Sequence, residues 1–101
     1  MTETLLPAIH PGEILLEDFL RPMGVSQSRL ALAIRVPLQR VHDIVHGRRA
    51  ISVDTAARLG QFFGTSAELW LNLQTHYDLE KARDEGLFQR VSEDVRPLDR
   101  V

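Results

Sequence analysis

Apolar residues recur along this chain at helical spacing in five stretches, with turn-forming residues between them. Leu15, Leu16, Phe19, Leu20 and Met23 mark one face of a helix predicted from Gly12 to about Arg21. Pro11 and Pro22 bracket it, and Gly24 lets the chain turn. Ser26 suits the N-cap of a second helix, in which Leu30, Ala31 and Ile34 face inward. Arg35-Val36-Pro37 interrupts the pattern. Pro37 fits the first position of a third helix, where its missing N–H costs nothing. Val36 before it is pushed toward an extended conformation, which separates the two helices. The third helix runs to about His46, with Gly47 suited to the C′ position. Ser52 caps a fourth helix, with Asp54 in its positive first turn and Ala56, Leu59, Phe62 and Phe63 on its core face. Gly64 stops it. Ser66 caps a longer fifth helix to about Arg83, where Leu69, Trp70, Leu73 and Tyr77 form the main apolar stripe. Leu71 and Leu79 fall on another side of that helix.

The ends differ from this body. Residues 1–11 lack periodicity and contain Pro7 and Pro11, so they read as a flexible arm. Residues 84–101 weaken the pattern, and Pro97 interrupts it, which predicts a short helical extension or a mobile tail. Residues 12–83 are the expected domain, all-α with five helices. A chain of 101 residues fits one such domain with a modest core, so oligomerisation is an expected supplement. Hydrophobic content of 44% argues against global disorder, and the absence of Cys removes disulfides and thiol chemistry. There is no membrane-length apolar run and no signal peptide pattern, so no membrane partner and a cytoplasmic location are expected.

The segment from Ser26 to Gly47 carries the functional reading. Ala31, Val41 and Ile44 have the spacing of two short helices, one bracing the other across a tight turn. That is the layout of a helix-turn-helix, whose second helix lies in a DNA major groove. The net charge of −2 looks wrong for such a role until it is divided. Residues 1–25 carry −3, residues 26–51 carry +4, and residues 52–101 carry −3. Positive charge is thus concentrated where phosphates would be met.

On a helical wheel of the third helix, Val41, Ile44 and Val45 point one way. Gln39, Asp43 and His46 point nearly opposite, flanked by Arg40 and His42. Gln can read adenine, Arg guanine, and Asp can accept from cytosine. Leu38 stands near the helix start, able to touch a thymine methyl or to pack. Gln27 and Ser28 open the second helix, where free N–H groups can take a phosphate. Arg48 and Arg49 follow the third helix and suit the DNA backbone.

Other chemistries fit less well. His42 and His46 lie four apart as in zinc-binding H-E-x-x-H helices, but Asp43 replaces the Glu and no third ligand is evident beyond His10 or His76. No Ser-His-Asp set or phosphate-binding glycine loop is visible, and Glu17 and Asp18 sit on a solvated helix side, so no enzyme activity, metal or cofactor is expected. A protein–protein module is the second reading, because Trp70, Leu73 and Tyr77 offer an apolar face for a twofold homodimer contact.

The segment from Ser26 to Gly47 resembles the helix-turn-helix of the phage-repressor class. The His10-Pro11-Gly12-Glu13 opening, the Gly47-Arg48-Arg49-Ala50-Ile51-Ser52 turn and the segment from Gly64 to Gln74 together resemble the HigA family of antitoxins. The resemblance implies a five-helix homodimer that binds double-stranded operator DNA, represses its own operon and neutralises a HigB/RelE-like ribonuclease toxin. The family also includes orphan transcriptional regulators with no toxin. This chain departs at the turn, where Arg35 takes a position usually held by Gly. A non-Gly residue at positive φ costs on the order of 1 kcal/mol, so a more open or tilted turn is expected.

Overall fold

The computed structural model describes residues 8–99. Those residues form helices and connecting turns, and no strand. The first helix, α1, is a continuous rod of three segments, Pro11–Ile14, Leu15–Leu20 and Arg21–Met23. The others are α2 (Gln27–Ile34), α3 (Leu38–Val45), α4 (Val53–Phe63), α5 (Ala67–Asp84) and α6 (Leu87–Asp94). The architecture is the expected all-α one with one helix more than five, because the segment after Asp84 contains α6. The flexible-arm expectation falls mostly on residues 1–7, outside the described residues. Its end is corrected, since His10 caps α1 and Pro11 is buried inside the first turn.

α1 was expected to stop before Pro22, yet it continues through it. A proline ring presses on the carbonyl four residues back and brings no N–H. Here the middle segment winds wider, as a π-turn, and the Arg21 N–H bonds to the Leu16 carbonyl five residues back. That winding opens the space Pro22 needs. It also stacks residues five apart, so Leu15 and Leu20 both reach the core. Met23, expected on the same face, is exposed beyond it.

Three serines start three helices as read. The hydroxyls of Ser26, Ser52 and Ser66 accept the N–H groups of Arg29, Thr55 and Leu69 at 3.0, 3.2 and 3.1 Å. Each such cap is worth about 1 kcal/mol. Between α2 and α3 the turn does not open to avoid strain. Arg35 itself takes the left-handed conformation at φ 60 and ψ 49. It is the one non-Gly residue at positive φ among the described residues. Pro37 is the extended residue before α3 rather than its first helical position.

The core gathers Leu15, Leu20, Leu30, Ile34, Val41, Ile44, Ile51 and Leu59 around Trp70. Trp70 has 0% exposure. Its ring lies 4.9 Å from Phe19 and 6.1 Å from Phe63, and its N–H donates to the Thr65 hydroxyl at 2.9 Å. Trp70 therefore has no surface to give to a second chain, and its assignment to a dimer interface is corrected. Leu73 is partly buried against the same core, and Tyr77 is half-buried with its edge against His10 at 4.8 Å. The inward stripe of α5 is Trp70, Leu71, Leu73 and Gln74, not Leu69, which is exposed. Phe62 on α4 is likewise exposed. Gln74 is buried because it has work there. Its carbonyl accepts the buried Ile51 N–H at 2.9 Å and its amide donates to Asp78 at 3.0 Å.

Candidate nucleic-acid interface

The reading helix is fixed from behind. Val41 and Ile44 bury the inner face of α3 against α2 and α1. α1 seats against its far end. His10 Nδ1 accepts the Gly12 N–H at 2.9 Å, Pro11 occupies the first turn, and Gly12 lies so close to α3 that a Cβ would overlap the Ile44 carbonyl oxygen. The His-Pro-Gly-Glu sequence is thus a seat: acceptor, helix starter, and a residue with no side chain where two backbones meet. Gly47 follows at φ 74, and the Arg48 N–H closes the α3 terminus on the Asp43 carbonyl at 2.7 Å.

The structure leaves Leu38, Gln39 and His46 exposed, with His42 and Asp43 half-exposed on the same outer face. Leu38 is 49% exposed, so its side chain does not pack inward. The Gln39 amide donates to the Asp43 carboxylate at 2.8 Å, a pairing that presets both side chains. The rings of His42 and His46 lie 4.1 Å apart, tilted by 39°, and His46 Nδ1 lies 2.9 Å from the His42 carbonyl. That nitrogen is therefore engaged by backbone, and among the described residues no three His, Asp or Glu side chains gather as metal ligands would.

Arg40 is placed differently from its neighbours. Its guanidinium turns sideways to α4 and lies 3.4 Å from the Asp54 carboxylate. Arg58 holds the same carboxylate at 3.0 Å and donates to the Ile34 carbonyl at the end of α2, also at 3.0 Å. Sequence reasoning gave Asp54 only a helix-dipole role and did not single out Arg58. The signal was present as an i, i+4 Asp–Arg pair on α4; the partner across the turn needed the fold.

The remaining candidates surround α3. Ser28 is exposed and Gln27 half-exposed at the start of α2, where the Ser26 cap leaves other N–H groups free. Arg48 and Arg49 are exposed and line a cleft of about 250 Å³ with His10, Tyr77, Asp78 and Lys81. Burial holds the His10 pKa below its usual value; the nearby Asp78 charge and a hydrogen bond to the Arg49 backbone oppose that shift. The arrangement is an exposed polar helix face between cationic and N–H-rich flanks, with no helix among the described residues long and apolar enough to cross a membrane.

Residues 16–70, from the middle of α1 to Trp70, match the helix-turn-helix family model. The chain is 51% identical over 80 residues to virulence-associated protein I of Dichelobacter nodosus, covering 79% of this chain and 74% of that one. It is 32% identical over 98 residues to antitoxin HigA-1 of Vibrio cholerae, covering 97% of this chain and 90% of that one. A solved structure of Pseudomonas aeruginosa antitoxin HigA with the higBA promoter matches at a TM-score of 0.84 and 42% identity, covering 91% of this chain and 99% of that one. The chain belongs to the helix-turn-helix family, among its HigA-type antitoxins, which are not enzymes.

Proposed function

We propose that this chain binds operator DNA as a homodimer, represses its own operon, and neutralises a HigB/RelE-like ribonuclease toxin. The observation that carries the DNA reading is the outer face of α3, polar and exposed on a helix whose inner face is locked in the core. In the major groove, Gln39 would read adenine, Asp43 would accept from cytosine, and Leu38 would meet a thymine methyl. His42 and His46 complete that face. Gln27, Ser28, Arg48 and Arg49 would take phosphates on either side. Arg40 is removed from the base-reading set, since Asp54 holds it. A twofold contact including Leu73 and Tyr77 would set the two α3 helices about one DNA turn, roughly 34 Å, apart. The exposed carboxylates of Glu13, Glu17 and Asp18 on α1 suit a basic, RNA-cleaving partner.

Fluorescence anisotropy on the chain's own upstream DNA tests the reading. Affinity falls steeply with salt, because phosphate contacts release counterions. Gln39→Ala costs about 1–3 kcal/mol on operator and relaxes one base position. Arg48→Ala weakens all sequences alike and flattens the salt slope by about one unit. Absence of any salt-sensitive complex would sink the repressor reading. The toxin reading is tested by co-expression with the neighbouring open reading frame. Failure of this chain to restore growth against a toxic neighbour would count against it.

A further inference from the structure

Arg40 stands in the first turn of α3, beside Gln39, yet its guanidinium faces away from the outer surface. The pose satisfies it poorly. Its Nη1 lies 3.4 Å from the Asp54 carboxylate, longer than the roughly 2.7–2.9 Å of a strong charged hydrogen bond. Its Nε is buried with no partner at all. No close hydrogen bond therefore accounts for the pose; the charge of Asp54 is the attraction that draws it there. Asp54 in turn does not depend on Arg40 for its place. Arg58 grips the same carboxylate at 3.0 Å while anchored to the Ile34 carbonyl, one of the α2 terminal carbonyls with no intrahelical partner. The carboxylate is a fixed anion, and its side chain stays 59% exposed.

We infer that Asp54 occupies on Arg40 the place of a DNA phosphate, and so subtracts one phosphate contact from the recognition helix. A guanidinium favours a phosphate for the same reason it favours a carboxylate, matched planar donors against paired oxygens. With Asp54 neutralised, Arg40 is free to swing to the backbone bordering the groove that α3 enters. Such a contact is indifferent to sequence. Asp54 thereby lowers binding to every duplex by one charge and leaves discrimination to the outer face of α3. The inference rests on the DNA-binding reading above.

The test is Asp54→Asn, with the full chain and fluorescence anisotropy on the upstream operator and on an unrelated duplex, from 50 to 200 mM salt. Binding tightens several-fold at 50 mM on both duplexes by the same factor. The salt slope steepens by about one unit, so the gain shrinks about fourfold by 200 mM. The thermal midpoint stays near that of the wild type, because exposed ion pairs contribute little to stability. In an Arg40→Gln background the same substitution changes neither affinity nor slope. An unchanged slope overturns the inference, as does an equal gain in both backgrounds, which marks bulk charge alone. A gain confined to the operator also overturns it, since Arg40 would then be reading a base. If Asp54→Asn unfolds the chain, Asp54→Ser removes the same charge and is read by the same criteria. A wild-type chain that binds no DNA overturns the DNA reading itself, whereas wild-type binding with a silent Asp54→Asn overturns only this inference.

Discussion

α4 and α6 are both short amphipathic helices, and they meet opposite fates. α4 lies between α2 and α5 and buries Ala56 and Leu59 completely. α6 packs mainly against α5, and it leaves Leu87, Phe88 and Val91 more than two-fifths exposed. A helical repeat of apolar residues thus says that a helix will form. What that helix covers depends on how many neighbours the topology supplies. One apolar pattern holds the body together, and the other contributes little to the fold of a single chain.

Removing an aromatic ring from each region gives the widest separation. Trp70→Ala should cost about 3–5 kcal/mol in urea unfolding, with its cavity at the centre of the core. Phe88→Ala should cost less than about 1 kcal/mol, the worth of a half-exposed ring and its contact with the Arg83 guanidinium at 5.3 Å. Equal costs would break the comparison. Two glycines repeat it on a smaller scale. Gly12→Ala should cost about 1–3 kcal/mol and weaken DNA binding, because the added Cβ pushes on the Ile44 carbonyl at the end of α3. Gly86→Ala, before α6 at φ 80, should cost only the backbone strain of about 1 kcal/mol and spare DNA binding. Arg35→Gly works in the other direction and should stabilise the chain by up to about 1 kcal/mol, by relieving the left-handed turn.

Acid should act on the body through His10, and most gently. The folded His10 pKa lies below its unfolded value, so the folded state binds fewer protons near that range. The stability His10 contributes is therefore present above about pH 6.5 and lost as pH falls through the depressed folded value. Protonation also removes the Nδ1 acceptor that caps Gly12. His10→Asn keeps an acceptor that does not titrate, and should flatten this part of the profile in melts between pH 5 and 8. A profile that Asn leaves unchanged would assign the acid sensitivity elsewhere.

Much of the body was legible in the residues. The serine caps, the break at Arg35-Val36-Pro37 and the inward positions of α2 and α3 follow from local rules of hydrogen bonding and periodicity. Two of the misreadings, at Leu69 and Arg40, share a cause in groups whose value depends on a distant partner, and the third, at Pro22, is local. Leu69 looked like core because Gln74, on the true inner face of α5, is polar; only the Ile51 N–H explains a buried amide there. Pro22 reads as a stop because a regular α-helix cannot pass it without strain, and the π-turn that lifts the restriction leaves no mark in the apolar spacing. Arg40 looked like a base reader because Asp54 is fourteen residues away and crosses to it only in the fold.

The wide turn of α1 amounts to one residue of slack. Two fixed points, the Gly12 seat on α3 and the Leu20 anchor in the core, are joined by more chain than a straight helix between them requires. Deleting a single residue at Glu17 or Asp18 would return the helix to ordinary winding with both attachments kept, and would set the Pro22 ring against the carbonyl four residues back. The extra residue is thus what lets α1 pass through Pro22 while its start still holds the surface that α3 presents.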